Sequence, residues 1–353
     1  MADRITASIW LLHFFDAAEE FDLPKAAQPG PVLRPPARAY LGSERPPVTG
    51  ALDSTGWAQR HGARTWWKAF EFGVLEIALE IPFSGTWDEL VQTSARILED
   101  PAADAHVATV ARHAFSKVES GARSAYPEWL TEDYLVVHLT SEVPASQLLK
   151  EHGNAIAQLV RGETQALSAS EQQEVLSSTL SCYPHDLLVA GWAAAFVYEP
   201  VTTAPGTIQL LEYANTQLLE FRHYDEVLKN LLARLYQLMA ERAGTWRRWR
   251  MAREVQSINA LRLEVAELAE RSEHSLRFLG DMYFARAYRV AAQRIGVADF
   301  RALVDDKVRT AGELYRFLVD EFQHQRAFVL ELMVVLILII ELAYTTSKIL
   351  TGK

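Results

Sequence analysis

Cysteine is nearly missing from this chain of 353 residues. Cys182 stands alone, so neither an intrachain disulfide nor a multi-thiolate metal site can form, which fits a reducing compartment. The familiar local signatures of catalysis are missing too: there is no glycine-rich phosphate loop, no His-Glu-x-x-His and no Gly-x-Ser-x-Gly elbow. Positive charge is in short supply, with 35 Lys+Arg against 45 Asp+Glu and a formal net charge of -10, which argues against a general nucleic-acid-binding surface. Apolar residues are plentiful at 49%, enough for a sizeable core and for two domains rather than three. Disorder, collagen and a small disulfide scaffold are thereby excluded.

The first 205 residues read as an α+β domain. Ile5 to Phe15 (ITASIWLLHFF) is too poor in leading basic residues for a secretory signal, and Asp16, Glu19 and Glu20 follow it at once, so it reads as a first strand. Those acids together with Asp3 also disfavour a transit peptide. Seven of the fourteen prolines fall between Pro24 and Pro47, which predicts an irregular loop over 24–57. Phe70 to Ile81 alternates as a strand does, and Thr86-Trp87-Asp88-Glu89 opens a helix through Leu98. Pro101 starts another helix to about Ser120, Tyr134 to Leu139 is β-rich, and Leu187 to Tyr198 reads as a buried strand. Four strands with helices between them predict an α+β or α/β domain that ends near Pro205.

Beyond Pro205 there is no proline at all, and helical patterns take over. Positions 211, 214, 218, 221, 225, 228, 232, 235 and 239 keep an a/d spacing, and a second series runs from Ile258 to Leu279. A helical hairpin turning at Gly244, its arms packed as an antiparallel coiled coil over 206–325, is the expectation. The chain then carries Ala327 to Tyr344 (AFVLELMVVLILIIELAY), with nine apolar residues in a row from Leu332 to Ile340. At 1.5 Å per residue these eighteen residues just reach the roughly 30 Å of a hydrocarbon layer. A C-terminal transmembrane anchor over 326–347, in contact with a lipid bilayer through 327–344 and leaving the body on the cytoplasmic side, is expected on that ground.

Several polar residues invite a functional reading. Asp225 occupies a seam position, where a carboxylate needs a cationic partner, and Arg262 and Arg271 on the second arm are candidates. Glu212, Asn215, Glu220 and Arg222 read as a solvated helix face. Trp246, Arg247, Arg248, Trp249 and Arg250, with Arg253 following, interleave aromatics and cations at the hairpin tip and suit an interface or a partner contact. Glu331 and Glu341 lie about 80° apart around their helix and so share one broad face, which suits packing against a neighbouring helix. Tyr183-Pro184-His185-Asp186 reads as a turn, with Cys182 a small buried hydrophobe. His106 and His113, without a third ligand, read as packing, and no metal or cofactor is expected.

Three segments carry a family resemblance: ITASIWLLHFFDAAEEFDL at the start, LEFRHYDEVLKNLL (219–232), and LELMVVLILIIEL (330–342). They resemble the first strand, the Leu-Glu-Ile helix and the terminal anchor of the required-for-meiotic-nuclear-division family, whose anchor carries two glutamates ten residues apart. Phe72-Gly73-Val74 loosely echoes that family's Phe-x-x-Gly-Val strand, whereas Leu332 and Tyr224 depart from its pattern. The resemblance implies a bacterial-type relative of membrane-tethered α+β proteins without established catalytic activity, whose mitochondrial member homo-oligomerises and is linked to organelle translation, and whose fungal members are linked to sporulation. The reading that follows is a membrane-anchored, non-enzymatic scaffold or interaction protein that homo-oligomerises through its helical half and offers its α+β domain to a protein partner. The alternatives are a hydrolase or nucleotide-handling site in the α+β domain, using residues such as Asp186, and a membrane tether for RNA or ribosomes. Its catalytic residues are unknown at this level. Convergent carboxylates in a deep pocket would favour the enzyme.

Overall fold

The computed structural model describes residues 4–26, 46–240, 260, 263, 265–266 and 282–350; for 238–240, 315, 318–333 and 342–350 it describes the backbone alone. Seven strands make one mixed sheet: β1 (Ile5–Phe21), β2 (Val48–Leu52), β3 (Arg64–Ala69), β4 (Val74–Gly85), β5 (Ala122–Leu139), β6 (Leu187–Ala190) and β7 (Ala194–Tyr198). Their order is β2-β3-β4-β1-β5-β7-β6, antiparallel throughout except for the parallel β5–β7 pair. The apolar opening segment sits centrally because both of its faces are covered: Leu11 and Phe15 point one way, Leu12 and Phe14 the other, and all four are buried. The predicted single strand over 187–198 is two strands of a hairpin. The proline-rich stretch contains the edge strand β2 in its described part, and β3 is a strand without an alternating signal strong enough to read.

Short helices α1 (Leu23–Ala26) and α2 (Gly56–Arg60) precede the helices that cover the first face, α3 (Trp87–Leu98), α4 (Pro101–Val118), α5 (Ala145–Arg161) and α6 (Ala169–Leu176). Their start signals work as the sequence suggests. Thr86 accepts from Glu89 N at 3.3 Å while Glu89 Oε2 accepts from Thr86 N at 2.7 Å, a complete capping box for α3. At α4, Asp100 Oδ1 accepts from Ala102 N at 2.9 Å, and its Oδ2 accepts from the indole of buried Trp57 at 2.6 Å. Both bonds hold that carboxyl below its usual pKa. Asp100→Ala is expected to destabilise by about 2 kcal/mol, about 1 from the lost cap and about 1 from the orphaned indole. Asp100→Ser should recover the cap share alone in urea unfolding.

Among the described residues the helices that follow with printed bounds are α7 (Ala204–Ala240), α8 (Met282–Ile295) and α9 (Val297–Leu350). The chain forms two compact units, one of residues 1–224 with 267–302 and one of 225–266 with 303–353. The first part of α7 thus belongs to the unit that contains the sheet, whereas the sequence reading began a separate helical half at 206. A stripe of Leu211, Ala214 and Leu218 serves a helix lying on a sheet as well as one in a coiled coil, since both need one apolar face. Gly244 and nearly all of the predicted second arm, 258–279, lie outside the described residues.

One expectation is overturned. Among the described residues no helix is long and apolar enough to cross a membrane, so the C-terminal transmembrane helix, the tail anchor and the membrane localisation derived from it are not supported. The physical reason is length: the unbroken run of nine residues between Glu331 and Glu341 rises only about 14 Å, under half of the roughly 30 Å required. The observed fold is a seven-stranded mixed sheet with helices, and its terminal segment is part of the 54-residue helix α9.

Candidate functional site

The second face of the sheet concentrates polar groups where an alternating pattern promises solvent. One row across the strands pairs Lys68 on β3 with Glu76 on β4, Glu76 with Phe14 on β1, and Phe14 with Glu132 on β5. Helix α7 lies against this face and meets the row with its own polar side chains. Lys68 Nζ is 3.5 Å from Glu76 Oε1 and forms a closer ion pair with Glu212 of α7. Glu76 is 0% exposed and Glu212 3%. Burial above all, and then the charge of Glu212, push the Glu76 carboxyl well above the usual carboxylate range. Nearly three turns along α7, Arg222 pairs with Glu132, and His223 Nδ1 lies 2.6 Å from Asp16 Oδ2. Asn215 turns its amide onto the Leu211 carbonyl at 2.8 Å.

At the end of this face, beside the first turn of α7, lies a cleft of about 260 Å³ lined by Thr6, Ser8, Trp10, Glu80, His138 and Ile208 among others. Ser8 and His138 are cross-strand partners, and Ser8 Oγ donates to Glu80 Oε1 at 3.3 Å. The set contains a hydroxyl, an imidazole and a carboxylate, but not in a nucleophilic order. The serine proton points to Glu80, whose Oε2 also holds Arg64 at 2.5 Å. His138 Nε2 sits 2.9 Å from the Glu199 carbonyl, which can only accept, so that nitrogen carries the proton. Thr140 donates to the same carbonyl at 2.7 Å. A base that abstracts the serine proton needs a free lone pair beside it, and here the imidazole faces main chain instead. The convergent carboxylates Glu76 and Glu212 do not line this cleft.

The residues singled out from sequence are distributed rather than gathered. In the second unit, Lys307 Nζ of α9 is 2.6 Å from Asp225 Oδ1; the alternative partners Arg262 and Arg271 lie outside the described residues. Trp246, Arg247, Arg248, Trp249, Arg250 and Arg253 also lie outside them, as does the side chain of Glu331, while Glu341 is exposed. Glu212 and Asn215 are buried, which corrects the solvated-face reading for these two; Glu220 and Arg222 are half-buried, and Arg222 pairs with Glu132 of β5. Asp186 is buried and accepts from Cys182 N at 2.7 Å and Tyr183 N at 2.9 Å, which makes it the keystone of a turn. Cys182 itself is exposed, against the expectation of a buried thiol. Among the described residues no group of three could hold a metal ion. Lys68 and Glu76 escaped the sequence reading. In the sequence they are one more pair of charges on strands that also carry Arg64 and Glu80.

The fold is thus that of an α+β protein built on a mixed seven-stranded sheet, one face covered by α3–α6 and the other carrying a buried ionic row under α7. The chain belongs to the family described as Uncharacterized protein MJ0711, N-terminal domain, which matches residues 6–204, from β1 to the first residue of α7. Uncharacterized protein MJ0711 of Methanocaldococcus jannaschii is 18% identical over 218 residues, which cover 62% of this chain and 67% of that protein. No solved structure matches the chain. Neither match links it to the required-for-meiotic-nuclear-division family.

Proposed function

We propose that this is a non-enzymatic interaction protein whose second unit self-associates through the apolar segment of α9. The observation that carries the reading is Val334 to Ile340, seven consecutive aliphatic side chains each 49–61% exposed. At about 100° per residue they cover the whole circumference of the helix, so no single neighbour could bury them. A fully buried aliphatic side chain is worth roughly 1.5–3 kcal/mol, which leaves on the order of 10 kcal/mol to be recovered by covering these seven. That corresponds to about 400 Å² per chain, half of the roughly 800 Å² each partner gives to a standard interface. Phe317 and Leu303 on the same helix and Tyr236 on α7 are exposed as well and add to it.

Copies of this chain are the partner best matched to such a surface. Each brings an identical all-round apolar helix, and several such helices cover one another as a single flat partner surface cannot. The cleft supports the non-enzymatic side of the reading through its internally spent polar groups. Light scattering on the full chain is expected to give a multiple of 39.7 kDa at micromolar concentration. Leu336→Lys with Ile340→Lys should return it to the mass of a single chain without altering its helical circular dichroism. A full chain that is monomeric at tens of micromolar, or a double variant that stays assembled, would overturn the proposal.

A further inference from the structure

We propose that the seat of α7 on the sheet is proton-linked: Glu76 and Glu212 share one proton beside Lys68, and raising the pH loosens the helix. The argument begins with counting charges in a closed space. Glu76 comes from β4, Lys68 from β3 and Glu212 from α7, so the trio exists only while the helix is seated. The Lys68 side chain is 14% exposed and the two carboxylates are almost without contact to solvent. One ammonium cannot balance two ionised carboxylates, and an uncompensated charge in such a place is costly. The cheaper state keeps one acid neutral, donating to the other as carboxylate pairs in other proteins do. Glu76 Oε2 has no hydrogen-bond partner among the described residues, so nothing beyond Lys68 offsets a full negative charge at that end of the carboxyl.

The surrounding charges do not remove the need for that proton. Facing the trio from β1 is the uncharged Phe14, with Asp16 beyond it tied to His223 of α7; from β5 comes Glu132, tied to Arg222 of α7. Each of these acids already has its own basic partner. Burial and the charge of Glu212 raise the Glu76 carboxyl above its ordinary 4.5, so the seated state holds a proton that the unfolded chain has released. The sign follows: above pH 4.5 the seated state loses ground as pH rises, because it must bind the proton from an ever more dilute supply.

The test compares the full chain with Glu76→Gln between pH 5.5 and 7.5. The folding constant of the native protein should fall up to about tenfold more per pH unit than that of the variant, whose amide is neutral at every pH. Glu212→Gln should flatten the profile in the same way, and it decides the question if the first variant folds poorly. Hydrogen exchange separates this from a general effect: after correction for intrinsic rates, the amides of 211–219 should open with pH in the native protein and not in either variant. Parallel pH profiles for native protein and variants, or exchange along 211–219 that ignores pH, would overturn the proposal.

Discussion

Gly73→Ala is expected to destabilise the protein by about 4 kcal/mol, read as a shift of the urea midpoint or as loss of folded protein on expression. Gly73 closes the turn between β3 and β4, where Phe70 N bonds the Val74 carbonyl at 2.9 Å. Its φ is +84°, and a Cβ there would stand 1.8 Å from the carbonyl oxygen of Ala18. The left-handed conformation costs an L-residue roughly 1–2 kcal/mol. The overlap is worse, because main chain cannot swing aside as a side chain can. Gly73 O also accepts from Ala17 N and Ala18 N at 3.2 and 3.3 Å, where the pairing of β1 with β5 shifts register. Forcing the turn away sacrifices those bonds, roughly 1 kcal/mol each. Gly62→Ala is the control: its φ is +62° with nothing within 4 Å, so only the conformational share of about 1–2 kcal/mol should appear.

Lys68→Met should cost about 3–4 kcal/mol at neutral pH, the second large effect. Removing the only cation of the trio leaves Glu76 and Glu212 together in a site closed to water, and breaking a buried pair in this way typically costs about 3–5 kcal/mol. The second carboxylate has one escape, which is to take up a proton. From an ordinary Glu value of 4.5 up to pH 7 that costs about 1.4 kcal/mol per unit, or about 3.5 kcal/mol in all. The loss should therefore shrink toward pH 5. Lys68→Met with Glu212→Gln should recover most of it, since a neutral trio has no charge to strand. A penalty for Lys68→Met that does not depend on pH would place its origin in packing.

What could be read locally was read where one element carries its own signal. The capping box at Thr86 and the proline after Asp100 fix the starts of two helices with groups within four residues of each other. The apolar run from Ile5 marks a strand because no turn former interrupts it. The hairpin over 187–198 looked like one strand because Leu187–Ala190 and Ala194–Tyr198 are both fully buried, which removes any alternation. The terminal segment reaches the length of a membrane span only together with the residues that flank its nine-residue apolar centre, Glu331 and Glu341 among them.

The sequence by itself determined composition-scale facts and the local ones: an acidic, nearly cysteine-free α+β chain, its central strand, and its best-capped helices. It determined also that residues 332–340 form an apolar run with no polar face to turn to water. Only the tertiary structure decided which polar residues are inside. Glu76 alternates with Leu75 and Ile77 as any solvent-facing strand residue would, and Glu212 shares its helix face with polar Gln209, Asn215 and Thr216 as on any surface helix. The two are 136 positions apart in the chain, and it is the docking of α7 over the second face of the sheet that buries both beside Lys68. Periodicity reports which side chains share a face; it carries no information on what later covers that face.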